Sequence, residues 1–570
     1  MTGWPAVSLA EATARLTAAG GPFAVTEAVI RGVPTRIWAT APPTLRDVLA
    51  AGRAHGARTF LVHEDERASF EAFTRAALAT AAWLAEHGVA KGDRVAIGMR
   101  NLPEWPAAFF GALAIGAIAV PLNAWWTAPE LAYGLADSEA RVAVLDGERF
   151  ARVRGELDDL PGLARLLVAR GAPDDARAEA LESVIGPVSA WADLPDRPIP
   201  DVPLGPEDDA TIFYTSGTTG RPKGALGSHR AGACGVMAHP YSLARSQVRR
   251  GQVPPAPDPA AAQKVSLIGI PFFHVTGCFA TLVPALNRGS RLVMMRRFDP
   301  VAALALIERE GVTTTGGVPT IAMQLAEHPE RGRFDLSSLE TVSYGGAPAP
   351  ADLVRRVRAE MPSARPATGW GMTETSGTFS HHQGEEYERH PESCGPPLPV
   401  CDVRIVDAED RDLPAGEVGE LLARGPMVVT GYWNRPEATA ETFRGGWLRT
   451  GDLARRDAEG FLEIVDRAKD MLIRGGENIY CIEVESALVE HPMVMDAAVV
   501  GLPHPSLGEE PAAIVTLVPD GRATEAELKA HVGARLAAFK VPVRVLFSAA
   551  VLPRNANGKI LKAELRALFA

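Results

Sequence analysis

At 570 residues, with 46% hydrophobic and 22% charged positions, the chain is too long for one ordinary domain and predicts a large domain plus at least one smaller one. Its formal charge of -11 is spread along the sequence, which argues against a nucleic-acid partner and reads as solubility. Five scattered cysteines without a CxxC pair exclude a disulfide framework and a zinc site, and no basic leader or run of about 18 apolar residues suggests export or membrane crossing, so a reducing cytoplasm is expected.

Ser8 and Thr44 each open a short helix through a capping pattern. An alanine-rich helical stretch from Ser69 to Gly88 precedes a strand at 94–99, a helix at 104–116, a strand at 117–122, a helix at 127–137 and a strand at 141–145. This alternation predicts α/β layers around a mostly parallel sheet over the first 150 residues.

The apolar run Ala210 to Tyr214 then empties into Thr215-Ser216-Gly217-Thr218-Thr219-Gly220-Arg221-Pro222-Lys223-Gly224. Glycines let backbone N–H groups approach an anion, the hydroxyls donate hydrogen bonds, and Lys223 adds positive charge, so the loop suits a phosphate. The lysine spacing is not that of a P-loop NTPase. The Pro-rich span 252–262 reads as an exposed insertion.

A strand at 265–270 delivers Pro271-Phe272-Phe273-His274-Val275-Thr276-Gly277 to its C-terminal end, where open α/β sheets place ligands, although a histidine after two phenylalanines also suits a packed core. Further strand-to-loop junctions are Tyr344-Gly345-Gly346-Ala347-Pro348 and Gly369-Trp370-Gly371-Met372-Thr373-Glu374; Glu374 suits Mg²⁺ beside nucleotide phosphates or a solvated surface. From Val403 short strands predict a β subdomain carrying Thr450-Gly451-Asp452, where the carboxylate fits ribose hydroxyls or a plain Asx-turn. Asp466-Arg467-Ala468-Lys469-Asp470 reads as an exposed linker ahead of an α+β tail whose Lys559 sits on an Asn- and Gly-rich loop.

Singly these signals are weak; in this order they resemble the adenylate-forming superfamily of acyl-CoA synthetases, adenylation domains and luciferases across most of the chain. The resemblance implies a layered α/β N-terminal domain over 1–467, with its β subdomain at about 400–467, and a mobile α+β C-terminal domain over 468–570. It makes Thr215 to Gly220 and Lys223 phosphate contacts, and assigns Gly345, Gly346, Ala347, Pro348, Gly369, Trp370, Gly371 and Met372 to adenine binding. Thr373 becomes a phosphate ligand, Glu374 the Mg²⁺ ligand, Asp452 and Arg467 ribose contacts, Lys469 the hinge and Lys559 the catalytic lysine. Phe273, His274 as gate, Val275, Thr276, Gly277, Gly317, Val318 and Gly345 would line the acyl pocket, and Gly475 and Gly476 the CoA tunnel. Trp370 stands where a tyrosine is frequent, which removes a hydroxyl contact while keeping a stacking ring, and Cys481 replaces a common proline.

The implied reaction uses ATP and Mg²⁺ to form an acyl-AMP, then CoA to form a thioester. No acid follows Phe273 to hold a substrate ammonium, and Gly316 to Thr320 carry no charge, so an apolar acid is expected: a medium- to long-chain fatty acid first, an aryl or cinnamate-type acid second. With only eleven residues after Lys559, CoA is expected as acceptor rather than a fused carrier. A separate carrier protein and a luciferase-like oxidation stay as alternatives, and a homodimer is left open.

Overall fold

Alternating amphipathic helices and continuous β-branched runs resolve into two eight-stranded sheets in the computed structural model, which describes residues 4–215, 221–256, 258, 261–347, 349–350, 352–475, 477–554 and 559–569. The first sheet runs 431–432, 224–228, 209–214, 118–121, 94–98, 142–146, 165–169 and 178–180 in spatial order. Its strands are parallel from 209–214 onward, and the two at the other edge are antiparallel. The second sheet runs 377–383, 365–372, 341–345, 314–317, 265–268, 291–294, 59–63 and 66–69, parallel except for the outermost strand on each side.

Between the sheets lie the helices Phe70–Glu86 and Glu104–Ala114. Every residue of the second is buried, and its apolar surface faces protein all round, as expected of a helix sandwiched between two layers. The capping boxes at Thr44 and Thr127 form, each threonine and the acid three residues on closing the helix start.

Two early segments depart from the expected single layer. The strands 59–63 and 66–69 cross to the second sheet, and Val25–Ile30 pairs with Val33–Trp38 in a separate hairpin. A five-stranded antiparallel sheet over 402–467 forms the β subdomain. Five further strands between 472 and 547, with the helices Cys481–Val489, Glu525–Gly533 and Lys562–Arg566, make the smaller α+β C-terminal part. No described helix is long and apolar enough to cross a membrane, and all five cysteines are unpaired.

Asp466 corrects the linker expectation. It is 1% exposed at the end of the strand Leu462–Arg467, and its carboxylate accepts from the backbone N–H groups of Arg467 and Cys481. Burial raises its pKa to about 6.

Candidate active site

Strand ends from both sheets, the β subdomain and the C-terminal part surround a cleft of about 940 Å³. Among its described lining residues Glu374 is the one carboxylate, against Arg100, Lys223, Arg296, Arg297, Arg467, Lys469, Arg554 and Lys559. So basic a wall in a partly enclosed space is built for polyanions.

The first sheet contributes the base of the phosphate loop. Thr215 N–H donates to the Lys223 carbonyl at 2.9 Å, closing the loop, while Tyr133 hydroxyl holds the Pro222 carbonyl at 3.0 Å. Ser216, Gly217, Thr218, Thr219 and Gly220 lie outside the described residues, as do Pro348 and Gly476.

Lys223 stands over the ring of Tyr432, 5.2 Å from its centroid, and the Tyr432 hydroxyl donates to Glu374 Oε1 at 2.7 Å. One side chain therefore orients both the phosphate-loop cation and the cleft's carboxylate. Burial, and then the Glu374 charge, push the Tyr432 phenol upward and keep it a donor. Sequence reasoning missed Tyr432, which the fold places on a two-residue strand paired to Ala225 and Leu226 beside the loop.

Trp370 and Asp452 meet in the same way. The indole N–H donates to Asp452 Oδ2 at 2.8 Å, and Arg467 Nε lies 3.3 Å from Asp452 Oδ1. Arg467 and Asp452 are also register partners across their strands. The tryptophan thus brings a polar contact of its own, which the comparison with tyrosine left out.

Lys559 enters from the C-terminal part. It is half-buried beside Arg467 and Lys469; desolvation first and the Arg467 charge second bring its ammonium down to about 8, with Asp452 and Glu374 opposing. Lys469 is lowered as well, by burial and then by Arg467.

At the other end of the cleft Val275, Thr276, Val318, Gly346 and His274 line the wall. Gly346 has φ +75°, and a side chain there would point at Thr276 Oγ1, 3.9 Å away. Asn101 fixes this corner: its amide donates to the Ile270 carbonyl and accepts from Phe272 N–H, both at 2.9 Å, tying the first sheet to the strand end that carries His274. It too escaped the sequence reading.

Gly371, Met372 and Thr373 line the cleft. Other expected contacts sit behind its wall. A Cβ on Gly277 would meet the Pro271 carbonyl at 2.2 Å, one on Gly369 the Ser380 carbonyl at 2.4 Å, one on Gly345 the Gly369 carbonyl at 3.1 Å, and one on Gly317 the Ile321 side chain at 2.7 Å. Phe273 is buried with its ring edge-on to Trp125, and Ala347 opens on an adjoining cavity against the C-terminal part. Gly475, at φ +61°, occupies a hairpin turn away from the cleft.

No group of three or more His, Cys, Asp or Glu side chains among the described residues could cage a metal. A single oriented carboxylate amid the cations of the cleft instead suits a Mg²⁺ that arrives with a nucleotide, and Glu374 would hold it.

The AMP-binding enzyme family matches residues 49–433, and the AMP-binding enzyme C-terminal domain matches residues 483–559. A feruloyl-CoA synthase from Amycolatopsis sp is 38% identical over 483 residues, covering 85% of this chain and 90% of that protein. The long-chain-fatty-acid–CoA ligase FadD13 of Mycobacterium tuberculosis is 35% identical over 486 residues, covering 85% and 89%. The crystal structure of the anthranilate CoA ligase AuaEII with anthranoyl-AMP superposes with a TM-score of 0.81 at 27% identity, over 92% of this chain and 97% of that one. The chain belongs to the AMP-binding enzyme family and, within it, to the acyl-CoA synthetase branch of AMP-forming acid–thiol ligases.

Proposed function

We propose that the protein joins a carboxylic acid with an apolar body to CoA through an acyl-AMP, and that the site residues act as follows. The observation carrying this reading is that Lys223, Glu374, Arg467 and Lys559 share one cleft with His274, Thr276 and Gly346. Two anions must meet when a carboxylate attacks the α-phosphate of ATP. Lys559 neutralises the attacking oxygen and the α-phosphate, Lys223 the leaving pyrophosphate, and Asp452 with Arg467 and Trp370 anchors the ribose end. Mg²⁺ held on Glu374 would supply further neutralisation of the phosphates.

Lys559 inside the cleft with Gly475 outside it suits the adenylation step. We assign residues 1–467 and 468–570 as the two domains, with a swing about Lys469 that withdraws Lys559 and brings the Gly475 turn to the CoA path for the second step. His274 is the gate between nucleotide and acyl group. A medium- to long-chain fatty acid is the first choice of substrate. An aryl or cinnamate-type acid is the second, favoured by the 38% identity to a feruloyl-CoA synthase. Five unpaired cysteines fit a reducing compartment, and we place the reaction in the cytoplasm. The test is pyrophosphate release with ATP and Mg²⁺ over fatty, aryl and amino acids, with and without CoA. CoA-dependent turnover of an apolar acid is expected; turnover confined to amino acids, or unaffected by CoA, would overturn the reading.

A further inference from the structure

The helical run that begins at the cleft continues inward through a π-helical turn, Cys278–Leu282, to the helix Val283–Arg288. Thr276 is on the cleft wall, and Arg288 lies twelve residues further along the same run, about 18 Å at 1.5 Å per residue. Between them Ala280 keeps open surface while its neighbours Phe279 and Leu282 are covered. His239, on the helix Ala238–Arg249, and Arg288 also keep uncovered surface, although protein encloses both side chains deeply. Uncovered surface therefore recurs along this run from Thr276 at the cleft to Arg288 at its far end.

The far end of that run is polar. The His239 and His381 rings meet edge to face at 5.8 Å, and the Arg288 charge acts on both. Burial holds both imidazoles neutral at physiological pH, His239 near 3 and His381 well below its ordinary value. His381 is 7% exposed, and its Nδ1 has no hydrogen-bond partner among the described residues. Nearby Arg245 and Arg249 are balanced by the buried Glu386, and His382 Nε2–H donates to the Ser393 carbonyl. Arg288 has no ion pair among the described residues; its guanidinium donates to the Val236 carbonyl at 2.7 Å. A buried guanidinium with a single carbonyl partner is costly unless something else supplies negative charge.

We propose that Arg288, His239 and His381 form the distal end of the acyl pocket and bind an oxygen acceptor carried by the acid at the end remote from the carboxylate being activated. The apolar walls expected near the reacting carboxylate then flank the body of the acid, and the polar end reads its length and its terminal group. A second carboxylate would pair with Arg288, and a keto oxygen would accept from Arg288 or an imidazole N–H. This deepens the ligase reading and rests on it.

The test compares saturated monocarboxylic acids of six to fourteen carbons with their α,ω-dicarboxylic and terminal-keto counterparts, measuring CoA-dependent AMP formation by the full-length enzyme. For at least one chain length the oxygen-bearing acid should exceed the plain acid at least ten-fold in kcat/KM, mostly through KM. Arg288→Met should raise KM for that acid ten-fold or more, leave kcat within a few-fold, and improve the plain acid. His239→Leu, which keeps Arg288, should weaken the same preference less and serves where the arginine variant does not fold. Preference for the dicarboxylic acid identifies an anionic terminus and preference for the keto acid a neutral one; either supports the proposal. Equal or better turnover of the plain acid at every length, or variants that reduce all acids alike, overturns it while leaving the ligase reading intact. Absence of turnover with every acid of this panel overturns the proposal, and the ligase reading falls with it only when the fatty, aryl and amino acids of the first test are silent too.

Discussion

Replacing Lys559 with alanine separates the two half-reactions. The lysine is half-buried among cations, and its pKa of about 8 against an ordinary 10.5 corresponds to roughly 3 kcal/mol of cost for keeping it charged without a ligand. The anions of ATP and the acid must return at least that much, so the charge contributes most where negative charge gathers between carboxylate and α-phosphate. Lys559→Ala should therefore slow acyl-AMP formation about 100- to 1000-fold, the scale of losing one transition-state donor. Thioester formation from supplied acyl-AMP should stay within a few-fold of wild type, because the proposed swing takes Lys559 out of the cleft by then. The pH profile supplies an independent check. The ammonium is charged below about 8 and neutral above it, so kcat/KM for adenylation should fall as pH rises through 8, and that limb should vanish in the variant. Under saturating ATP the limb in kcat should move upward, since phosphates favour the charged form. Equal loss in both half-reactions, or an unchanged alkaline limb in the variant, would refute the assignment.

Four further outcomes follow from single contacts. Trp370→Phe keeps a ring but strips Asp452 of its indole donor, and the unpaired buried oxygen should cost about 1–3 kcal/mol, read as a 5- to 100-fold rise in the KM for ATP with the KM for the acid unmoved. Tyr432→Phe preserves the ring under Lys223 and removes the donor to Glu374, so the Mg²⁺ concentration for half-maximal adenylation should rise about 10- to 100-fold. Asn101→Ala removes both hydrogen bonds that hold the Ile270–Phe272 corner and should lower unfolding stability by about 2–4 kcal/mol in denaturant titration. Lys469→Pro restricts φ at the proposed hinge and should impair one half-reaction at least ten-fold more than the other in single-turnover assays.

Most of the regular elements were legible because their periodicities are strong. The helix Phe70–Glu86 and the parallel strands 94–98, 118–121 and 142–146 lie within two or three residues of the expected limits. The hairpin Val25–Trp38 was not, since Thr26, Glu27, Thr35 and Arg36 interrupt its apolar pattern and its pairing is local. At the site, residues inside glycine-rich loops announced themselves: Thr215, Lys223, Gly346, Thr373, Glu374 and Lys559 all reach the cleft. Asn101, Tyr432 and Arg288 stayed hidden, each unremarkable in its own segment. Their roles arise from partners some 170, 60 and 50 positions away, which only the folded chain brings near. Asp466 was misread because a charged run ordinarily marks surface, whereas two backbone N–H groups hold this carboxylate inside.

The bond from Asp466 to the Cys481 amide joins the last strand of the β subdomain to the first helix of the C-terminal part. A swing about Lys469 either pivots on that bond or breaks it, and breaking it strands a buried carboxylate together with an N–H at a helix start, at a cost of about 1–3 kcal/mol. A bond that the proposed swing must break would act as a detent, favouring a few resting angles over continuous drift, so that each turnover would step between seats instead of sampling every orientation on the way.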